Sequence, residues 1–597
     1  MGKDGSHVKA TISKKQRIFL LVVGILVLVA FTGYGIFRFA TRSFIASEIQ
    51  TREDWSIDTG EYTDREEKLE INVYDAPVES SIAIKQIVPY EYEEEGFTYY
   101  DEDVQARLGH ALLELVQEKN YTLDEPLAIL NPFGTGSNGL YLYFTTTKGC
   151  QVEYTVHVED DSIADYTALA NNRGEQGYST VQEFLLIGLV PGMENQVTLR
   201  TINRQGKETG TLTFTVETPE TVSGYQTQLD VTQGESTVQQ TDGLFYAMGF
   251  GDYYGYTFFF DNDGVMRYEM LLEGYHSDRF LWDGNELITC VGSNKIARLS
   301  RLGQVLQVVD LGSYELHHDI NWGPNGTILA LATDTKGETV EDQVLQIDLD
   351  TGEVSLAVDF TQVLNSYFQT THVIGMTDTF FWSEGEWDWL HLNSIQYVEE
   401  DNAILVSSRE TSTIIKASLE EEPQILWMIG DPAFWEGTEF SQYSLEPEGD
   451  FLLQYGQHDV ELVEDESLPE GQYYLRFYDN NYWGNSTRDN YEPDLSDQVG
   501  LSMTDEEGVN SYVYFYLVDE TAGTFTLADS FEVPYSSLVS NVQNVEGQYV
   551  VNNGVHQCFG EYDDQGSLIR EYGYTCTANG YRVMKSDFRG FWFLEEK

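Results

Sequence analysis

The alternation of apolar and polar residues is typical of short β-strands over most of the chain. From about Gly224 onward, stretches of strand length are separated by turns such as DNDG at Asp261 and DLDTGE at Asp348. Comparable features recur about every 40 to 60 residues, the spacing expected for the blades of a β-propeller. We expect about six blades in this part of the chain.

A smaller set of strands precedes these repeats, together with one helix. Segments such as LYLYFTTT and VEYTVHVE read as strands, whereas the apolar residues of 103–119 follow helical spacing. The run LVPGMENQVTLRTINRQGKETG is similar to the late hairpin of a fibronectin type III-like sandwich. We therefore predict an all-β protein with a small fibronectin type III-like or immunoglobulin-like sandwich at 71–220 and a six-bladed propeller at 224–597.

One continuous apolar segment, residues 18–37, contains no charged residue. It is long enough to cross about 30 Å of hydrocarbon as a helix. The tail at 1–17 is basic, so the positive-inside rule places it in the cytoplasm and the remainder outside the cell. We predict an uncleaved signal-anchor in the cell membrane, followed by an acidic tether at 38–70. A cleaved signal peptide is the alternative, disfavoured because no A-x-A site follows directly.

Composition and charge restrict the possible partners. The chain of 597 residues contains 33 basic and 99 acidic residues, with a formal net charge of −66. Because so acidic a surface repels phosphate backbones, we expect no nucleic-acid partner. An anionic substrate would need local positive charge at its binding site.

The four cysteines include no C-x-x-C pair, so a zinc ribbon is excluded. Cys558 and Cys576 flank the turn signal DDQG and could form a disulfide across a hairpin, which an extracellular location permits. Cys150 and Cys290 are expected to be buried free thiols. The DNDG segment lacks the distal glutamate of an EF-hand, so we interpret it as a hairpin turn.

Three segments of the repeat region place polar residues ahead of a branched apolar residue: LHHDI, LHLNSI and GQHDV. When the branched residues are aligned, the position two residues earlier is His318, Asn393 and His458. His391 lies two residues before Asn393, so strand alternation puts both on one face, and it puts His317 opposite His318.

The first strand of each propeller blade lines the central channel. We therefore expect His318, His391, Asn393 and His458 to converge there, with Arg409 reaching in from a second strand. The tryptophans of EWDW, Trp387 and Trp389, are expected to form part of an aromatic wall for substrate.

Imidazoles, an amide and a guanidinium together can hold a tetrahedral oxyanion. An imidazole can also serve as nucleophile or proton shuttle. No G-x-S-x-G, P-loop or H-E-x-x-H motif occurs in the sequence. Three histidines could instead bind zinc, but an adjacent guanidinium would repel the metal, so we expect neither a metal nor a cofactor.

The segments HHDI, DWLHLNS with the later VSSR, WMIGDP and GQHDV resemble the bacterial aryl-sulfate sulfotransferase (arylsulfotransferase) family. This resemblance implies a small N-terminal β domain before a six-bladed propeller. It also implies transfer of a sulfuryl group from a phenolic sulfate ester to a phenol, without the nucleotide donor PAPS. The resemblance implies that His458 is transiently sulfated. It implies that His391 and Asn393 contact the sulfuryl or leaving oxygens. It also implies that Arg409 and His318 bind the sulfate, and His318 is favoured over His317 for this role.

We therefore expect a transferase that acts on small-molecule aryl sulfates and phenols outside the cell and contacts the membrane only through its anchor. Two other classes remain open at this stage. One is a non-catalytic extracellular propeller for binding or adhesion, since propellers host many functions. The other is a metal-dependent hydrolase or lyase that uses the histidine cluster.

Overall fold

The computed structural model describes residues 57, 69–91, 98–172, 175–275, 277–488, 491, 495–504 and 506–595. Within these ranges, no helix is both long and apolar enough to span a membrane. The predicted tail, the anchor and almost all of the tether lie outside the described residues.

The N-terminal domain is an eight-stranded sheet with one packed helix. The helix α1, Glu102–Glu118, agrees with the predicted helix and is capped by Asp101, whose side chain accepts the backbone N–H groups of Asp103 and Val104. The path across the sheet is β1-β2-β3-β4-β7-β8, with β5 and β6 also paired to β4. The strands are β1 (Leu69–Asp75), β2 (Lys85–Glu91), β3 (Leu127–Leu130), β4 (Leu140–Val158), β5 (Tyr166–Leu169), β6 (Ser179–Leu186), β7 (Glu194–Ile202) and β8 (Glu208–Glu217).

Six further sheets of four or five strands follow, and each forms one blade of a propeller. Blades 1 to 3 contain β10 (Leu244–Phe250), β11 (Tyr256–Phe260), β12 (Met266–Leu271); β13 (Leu281–Asp283), β14 (Glu286–Gly292), β15 (Lys295–Leu299), β16 (Val305–Asp310); and β17 (Tyr314–Trp322), β18 (Ile328–Asp334), β19 (Gln343–Asp348), β20 (Glu353–Asp359). Blades 4 to 6 contain β21 (Leu392–Val398), β22 (Ala403–Ser408), β23 (Thr413–Ser418), β24 (Ile425–Ile429); β25 (Glu446–Pro447), β26 (His458–Val463), β27 (Gln472–Asp479), β28 (Ser511–Asp519), β29 (Thr524–Val533); and β30 (Asn541–Val545), β31 (Gln548–Asn553), β32 (Cys558–Tyr562), β33 (Leu568–Gly573). Short α-helices are α2 (Phe360–Val363), α3 (Asn365–Phe368) and α4 (Pro432–Trp435), and 3₁₀ turns lie at Glu175–Gly177, Pro324–Gly326, Phe381–Ser383, Glu399–Asp401 and Glu439–Tyr443.

The ring of blades is closed at two places by the ends of the propeller chain. The last strand, β34 (Gly580–Ser586), pairs with β10 as the inner strand of blade 1. The first strand, β9 (Asp230–Gln233), pairs with β33 at the outer edge of blade 6. This pairing fixes both ends of the propeller within its sheets, and it leaves fewer open strand edges.

The two domains share one hydrophobic core. Buried residues of the N-terminal sheet and α1 belong to the same cluster as residues of blades 1 and 2, including Phe259 and Leu299. A hydrogen bond also joins the two domains, because the side-chain oxygen of Gln105 in α1 accepts the N–H of Val305 at 3.2 Å. The N-terminal domain therefore packs against the propeller as a continuous body.

The predictions for the DNDG turn and for the cysteines have different outcomes. DNDG is a hairpin turn between β11 and β12, with the Asp261 N–H donated to the Val265 carbonyl at 3.0 Å. The predicted disulfide is wrong, because Cys558 and Cys576 are both free. Cys558 is aligned with Gly573 across the β32–β33 ladder, so Cys576 lies beyond the end of that pairing. Cys150 and Cys290 are buried and free, as expected.

Candidate active site

The inner strands that carry the predicted site residues are each interrupted by a bulge. The register of β17, β21 and β26 with the following strand shifts once in each pair. His318, His391 and Asp459 lie at or beside these bulges with φ of +62°, +50° and +53°. Left-handed backbone is uncommon outside glycine, although His and Asp adopt it more often than most residues, and it is concentrated at functional sites. The bulges turn polar side chains of three blades toward one region of the channel.

His458 is a buried imidazole with one nitrogen fixed. Its Nδ1 lies 2.9 Å from the carbonyl oxygen of Gly456 and 2.7 Å from Oδ1 of Asn480. Both partners accept, so Nδ1 carries the proton and Nε2 keeps its lone pair. Burial, together with the positive groups at His391 and Arg409, lowers the pKa of His458 to about 3 although Asn480 acts in the opposite direction. His458 is therefore a neutral, oriented imidazole at physiological pH, with its proton on Nδ1.

His391 lies between two carboxylates and a guanidinium. Its Nδ1 is 2.7 Å from Oδ2 of Asp388 and also faces Oε2 of Glu341. On the other side of the ring, Nη1 of Arg409 lies 2.8 Å from Nε2. The same guanidinium donates from Nη2 to Oδ2 of Asp388 at 3.1 Å. Arg409 and His391 are thus held together through a shared carboxylate.

The protonation of His391 depends on where Arg409 points. A guanidinium can only donate, so the 2.8 Å contact requires Nε2 to accept and the ring to be neutral. Burial and Arg409 oppose a second proton, but Asp388 and Glu341 outweigh them and raise the pKa of His391 to about 9. Contact with Arg409 and a proton on Nε2 exclude each other.

His318 and His317 lie next to these groups. The rings of His318 and His391 meet edge to face with centroids 4.7 Å apart. Nδ1 of His317 is 3.0 Å from Nδ1 of His318. Burial lowers the pKa of both rings despite the nearby carboxylate of Glu341. The expected placement of His317 on the opposite face is not what the structure shows, because the bulge at His318 breaks strand alternation.

Asn393 contacts the neighbouring blade rather than His391. Its amide group donates to the carbonyl of Gln457 at 2.8 Å, and the side chain is fully buried. This bond fixes the backbone directly before His458. The expectation that His391 and Asn393 project jointly into the channel stays a prediction.

The predicted tryptophan wall is wrong. Trp389 is 0% exposed, and its Nε1 donates to Oδ2 of Asp342 at 2.7 Å. Trp387 packs on Phe368 and donates to Oγ1 of Thr371 at 2.9 Å. Trp389 belongs to the hydrophobic core shared by blades 3 and 4, and Trp387 is partly buried against that core. Aromatic groups beside the site are Phe380, whose ring lies 4.0 Å from the guanidinium carbon of Arg409, and Tyr581, whose ring centroid is 5.6 Å from that of His318.

A network of four buried charges supports the bulged strands. It consists of Arg279, Asp319, Asp459 and Arg582. Oδ1 of Asp319 accepts from Arg279 at 2.9 Å and from Arg582 at 2.7 Å, and Oδ1 of Asp459 accepts from Arg279 at 3.0 Å. Asp319 and Asp459 directly follow His318 and His458, so this four-charge network fixes the backbone beside two site histidines.

Two family profiles match this chain, one over the propeller and one over the N-terminal domain. A profile described as arylsulfotransferase (ASST) matches residues 230–583, and one described as arylsulfotransferase Ig-like domain matches residues 127–219. The first match covers more than half of the 597 residues. The chain belongs to the arylsulfotransferase family. The predicted family, the six-bladed propeller and the N-terminal immunoglobulin-like domain are confirmed.

Curated proteins offer no match to this arylsulfotransferase. Solved structures align at low identity: a protein of unknown function from Bacteroides caccae is 11% identical, with a TM-score of 0.33, covering 58% of this chain and 99% of its own. AztD from Citrobacter koseri is 10% identical, with a TM-score of 0.24 and coverages of 73% and 98%. Sqt1 from Saccharomyces cerevisiae is 13% identical, with a TM-score of 0.28 and coverages of 59% and 90%.

Several groups of this arylsulfotransferase site were not predicted. Asp388 stands inside the quoted DWLHLNS segment, so its spacing of three residues from His391 was an available signal. Asn480 follows the strand that pairs with β26, and only the pairing register brings it to His458. Glu341 lies in the loop between β18 and β19 and Phe380 in a long connection between blades, and no local motif marks either residue.

Among the residues that the structure describes, two sets of groups have spacings that a cation could use. His317, His318 and Glu341 form one set, and Glu341, Asp388 and His391 form the other, with ligand atoms within 4.8 Å of one another. Glu341 is common to both sets. Its carboxylate already faces the His391 ring, and the Arg409 guanidinium lies against that same ring. We interpret this cluster of the arylsulfotransferase as an ion-paired network rather than a metal centre.

Proposed function

We propose that this arylsulfotransferase moves a sulfuryl group from a phenolic sulfate ester to an acceptor phenol through a sulfated His458, without a nucleotide sulfate donor. The observation that carries this proposal is the state of His458. Its Nδ1 is fixed by Gly456 and Asn480, its pKa is lowered to about 3, and its Nε2 lone pair is available for attack. Nucleophilic catalysis by histidine requires an unprotonated ring nitrogen that faces the reacting atom.

In the first half-reaction, Nε2 of His458 attacks the sulfur of the donor. An S–N bond forms and the S–O bond to the aromatic ring breaks, with its electron pair remaining on the phenolic oxygen. Arg409 turns to the sulfuryl oxygens, which frees Nε2 of His391 to carry a proton to that oxygen. The Nδ1 proton of His458, held by two acceptors, stabilises the positive charge that the ring gains.

In the second half-reaction, an acceptor phenol replaces the departing one. Its hydroxyl proton passes to neutral His391, and its oxygen attacks the sulfur. The S–N bond breaks and its electron pair returns to Nε2 of His458. His318, beside His391, is placed to donate to a sulfuryl oxygen in both steps, while Asn393 keeps the His458 strand in position.

The proposal is tested by steady-state transfer from a chromogenic aryl sulfate with and without added phenol. We expect phenol to accelerate release of the chromogenic product and to be converted to its own sulfate. His458→Asn, which places an amide N–H donor near Asn480, is expected to lose transfer entirely while retaining the native circular dichroism spectrum. Turnover by this variant would contradict the proposal.

A metal-dependent hydrolase is a second candidate because of the spacing of His317, His318 and Glu341. It predicts that a chelator abolishes product release and that added zinc restores it. Sulfuryl transfer through His458 predicts an unchanged rate after chelation. A binding or adhesion propeller predicts no product release from any aryl sulfate.

The proposed location follows from the apolar segment at 18–37 and the basic residues before it. We propose that the segment anchors the enzyme with its propeller outside the cell. Protease treatment of intact cells is expected to degrade the propeller, and detergent is expected to be required for extraction. A propeller that is protected in intact cells, or is released by salt alone, would contradict this topology.

A further inference from the structure

Glu341 lies among the site histidines although it comes from an unmarked loop. Its Oε2 faces Nδ1 of His391 and is 3.8 Å from Nδ1 of His318. Its side chain is 23% exposed, and it lies beside largely buried rings. A carboxylate in this position is enclosed by the groups that carry out the proposed reaction.

The backbone of Glu341 is fixed on both sides. Its φ is +57°, a left-handed conformation that only surrounding contacts can maintain for this residue type. Its N–H donates to Oγ1 of Thr333 at 2.8 Å, and its carbonyl accepts the N–H of Leu392 at 3.0 Å. Thr333 belongs to blade 3, whereas Leu392 begins the inner strand of blade 4 directly after His391. The carboxylate is therefore held in register with His391.

Glu341 differs from Asp388, the other carboxylate at Nδ1 of His391. Asp388 shares its charge with Arg409, whose Nη2 donates to it at 3.1 Å. The recorded side-chain contacts of Glu341 are instead with imidazoles: His391 and His318. Its negative charge is thus directed at histidine and is not offset by the guanidinium.

A count of formal charges shows what Glu341 contributes. Arg409 is positive and Asp388 and Glu341 are negative, so a proton on His391 brings this group of four to neutrality. A bound sulfate monoester adds one negative charge, which further favours the proton. Without the Glu341 charge, the same group with protonated His391 would carry one positive charge. Removal of that charge would therefore weaken retention of the proton while strengthening attraction for an anionic donor.

We propose that Glu341 is a positioning residue that keeps the proton of His391 on the ring until the phenolic oxygen departs, and thereby admits sulfate esters of weakly acidic phenols as donors. This inference rests on the proposed function. When the S–O bond breaks, the electron pair stays on the oxygen and the Nε2 proton of His391 moves to it. His391 then remains neutral, with its Nδ1 proton facing Glu341 and Asp388. A phenol that is already a good leaving group needs little of this help.

The test compares donors that differ only in the acidity of the phenol released. Glu341→Gln is assayed with phenyl sulfate and 4-nitrophenyl sulfate, by single-turnover release of phenol and by steady-state kcat and KM. We expect kcat for phenyl sulfate to fall by about 10- to 100-fold, less than the roughly 10²- to 10⁴-fold that general acid catalysis contributes as a whole, because Asp388 still faces His391. We expect kcat for 4-nitrophenyl sulfate to change by less than about threefold, and the donor KM to be equal or lower.

Glu338→Gln is the matched control, since it is the same substitution at an exposed position of the same loop. It is expected to behave as the unaltered enzyme with both donors. Glu341→Asp retains the charge and is expected to recover part of the phenyl sulfate rate. If Glu341→Gln fails to fold, the Glu341→Asp variant supplies the test through the same dependence on the leaving group.

Equal losses with both donors, or a raised donor KM, would overturn the proposal in favour of a purely structural role. An unchanged phenyl sulfate rate would also overturn it. Failure of the proposed function is distinguishable, because His458→Asn would then still release phenol, or the unaltered enzyme would release phenol from neither donor. Asp388→Asn provides contrast, since loss of its Arg409 contact is expected to raise KM for both donors.

Discussion

His458 and His391 occupy opposite electrostatic environments within one site. Burial and nearby positive groups lower the pKa of His458 to about 3. Despite burial, two carboxylates raise the pKa of His391 to about 9. Environments that separate the pKa values of neighbouring groups assign the roles of base and acid. At the residue scale, His458 is therefore the nucleophile and His391 the proton donor of the proposed reaction.

This assignment predicts the pH dependence of the first half-reaction. His458 must be unprotonated, which holds above a pKa of about 3. His391 must be protonated, which holds below a pKa of about 9. Single-turnover phenol release from phenyl sulfate should therefore be constant through neutral pH and fall as the pH rises past about 9. A rate that increases through about pH 6.5, the ordinary range of histidine, would contradict the assignment.

The identities of the site histidines were accessible from sequence, whereas their orientations were not. HHDI, DWLHLNS and GQHDV mark the three inner strands, and His318, His391 and His458 do converge. Strand alternation misplaced His317, because the left-handed backbone at His318 is set by packing between blades. Trp389 lies close to His391 in sequence, but its side chain points into the core shared by blades 3 and 4. Proximity in sequence does not determine this orientation, so the prediction for Trp389 was wrong.

At the scale of elements, the loops after the second strands of neighbouring blades build the site. Glu341 follows β18, Arg409 follows β22 and Asn480 follows β27. The connection between blades 3 and 4 adds Phe380, whose N–H donates to Oγ of Ser486 in the loop of blade 5 at 2.9 Å. Glu410 accepts the N–H groups of Ser486 and Thr487 and joins that loop to Arg409. These loops hold the guanidinium from two sides.

Phe380→Leu tests the contribution of the aromatic face over Arg409. Leucine retains an apolar side chain but loses the ring, and cation–π contacts contribute about 0.5–2 kcal/mol. We expect the donor KM to increase correspondingly, as measured by steady-state kinetics. Phe381→Leu, at a 52% exposed neighbouring position, is the control and should leave KM unchanged. Equal effects of the two substitutions would contradict a specific role for the Phe380 ring.

At this scale, the prediction from sequence was strong for strands and weak for long connections. Glycine- and aspartate-rich turns mark hairpins such as that at Asp261, and helical spacing located α1 to within a residue. The connection at 360–391 has no repeating pattern, so its two short helices and the position of Phe380 follow from packing against blades 4 and 5. Cys558 and Cys576 are separated by hairpin geometry that the turn signal alone does not specify.

At the scale of the whole molecule, the four-charge network joins blades across the channel. Arg582 comes from β34 in blade 1, Asp319 from blade 3 and Asp459 from blade 5, while Arg279 precedes β13 of blade 2. The two arginines lower the pKa of Asp319 against the effect of burial. The strand that closes the ring, β34, therefore also supplies a charge that holds the other blades in place.

Arg582→Met is predicted to destabilise the propeller strongly. It leaves two buried carboxylates with one guanidinium, and loss of one partner from a buried ion pair costs about 3–5 kcal/mol. Arg570→Met in β33 is the control, because its partner Asp263 is 51% exposed and surface pairs contribute about 0–1 kcal/mol. The free energy of unfolding of both variants is measured by urea unfolding, which is followed by tryptophan fluorescence. A loss for Arg582→Met no larger than that of the control would contradict the role of the network.

The central claim is that the sulfuryl group passes through Nε2 of His458. Its most direct test is brief reaction with an aryl sulfate in the absence of acceptor, followed by proteolysis and mass spectrometry at alkaline pH. We predict one sulfuryl group on the peptide that contains His458, removed when phenol is added and absent from His458→Asn. A sulfuryl group on another residue, or full transfer activity with an unmodified His458 throughout turnover, would contradict the account.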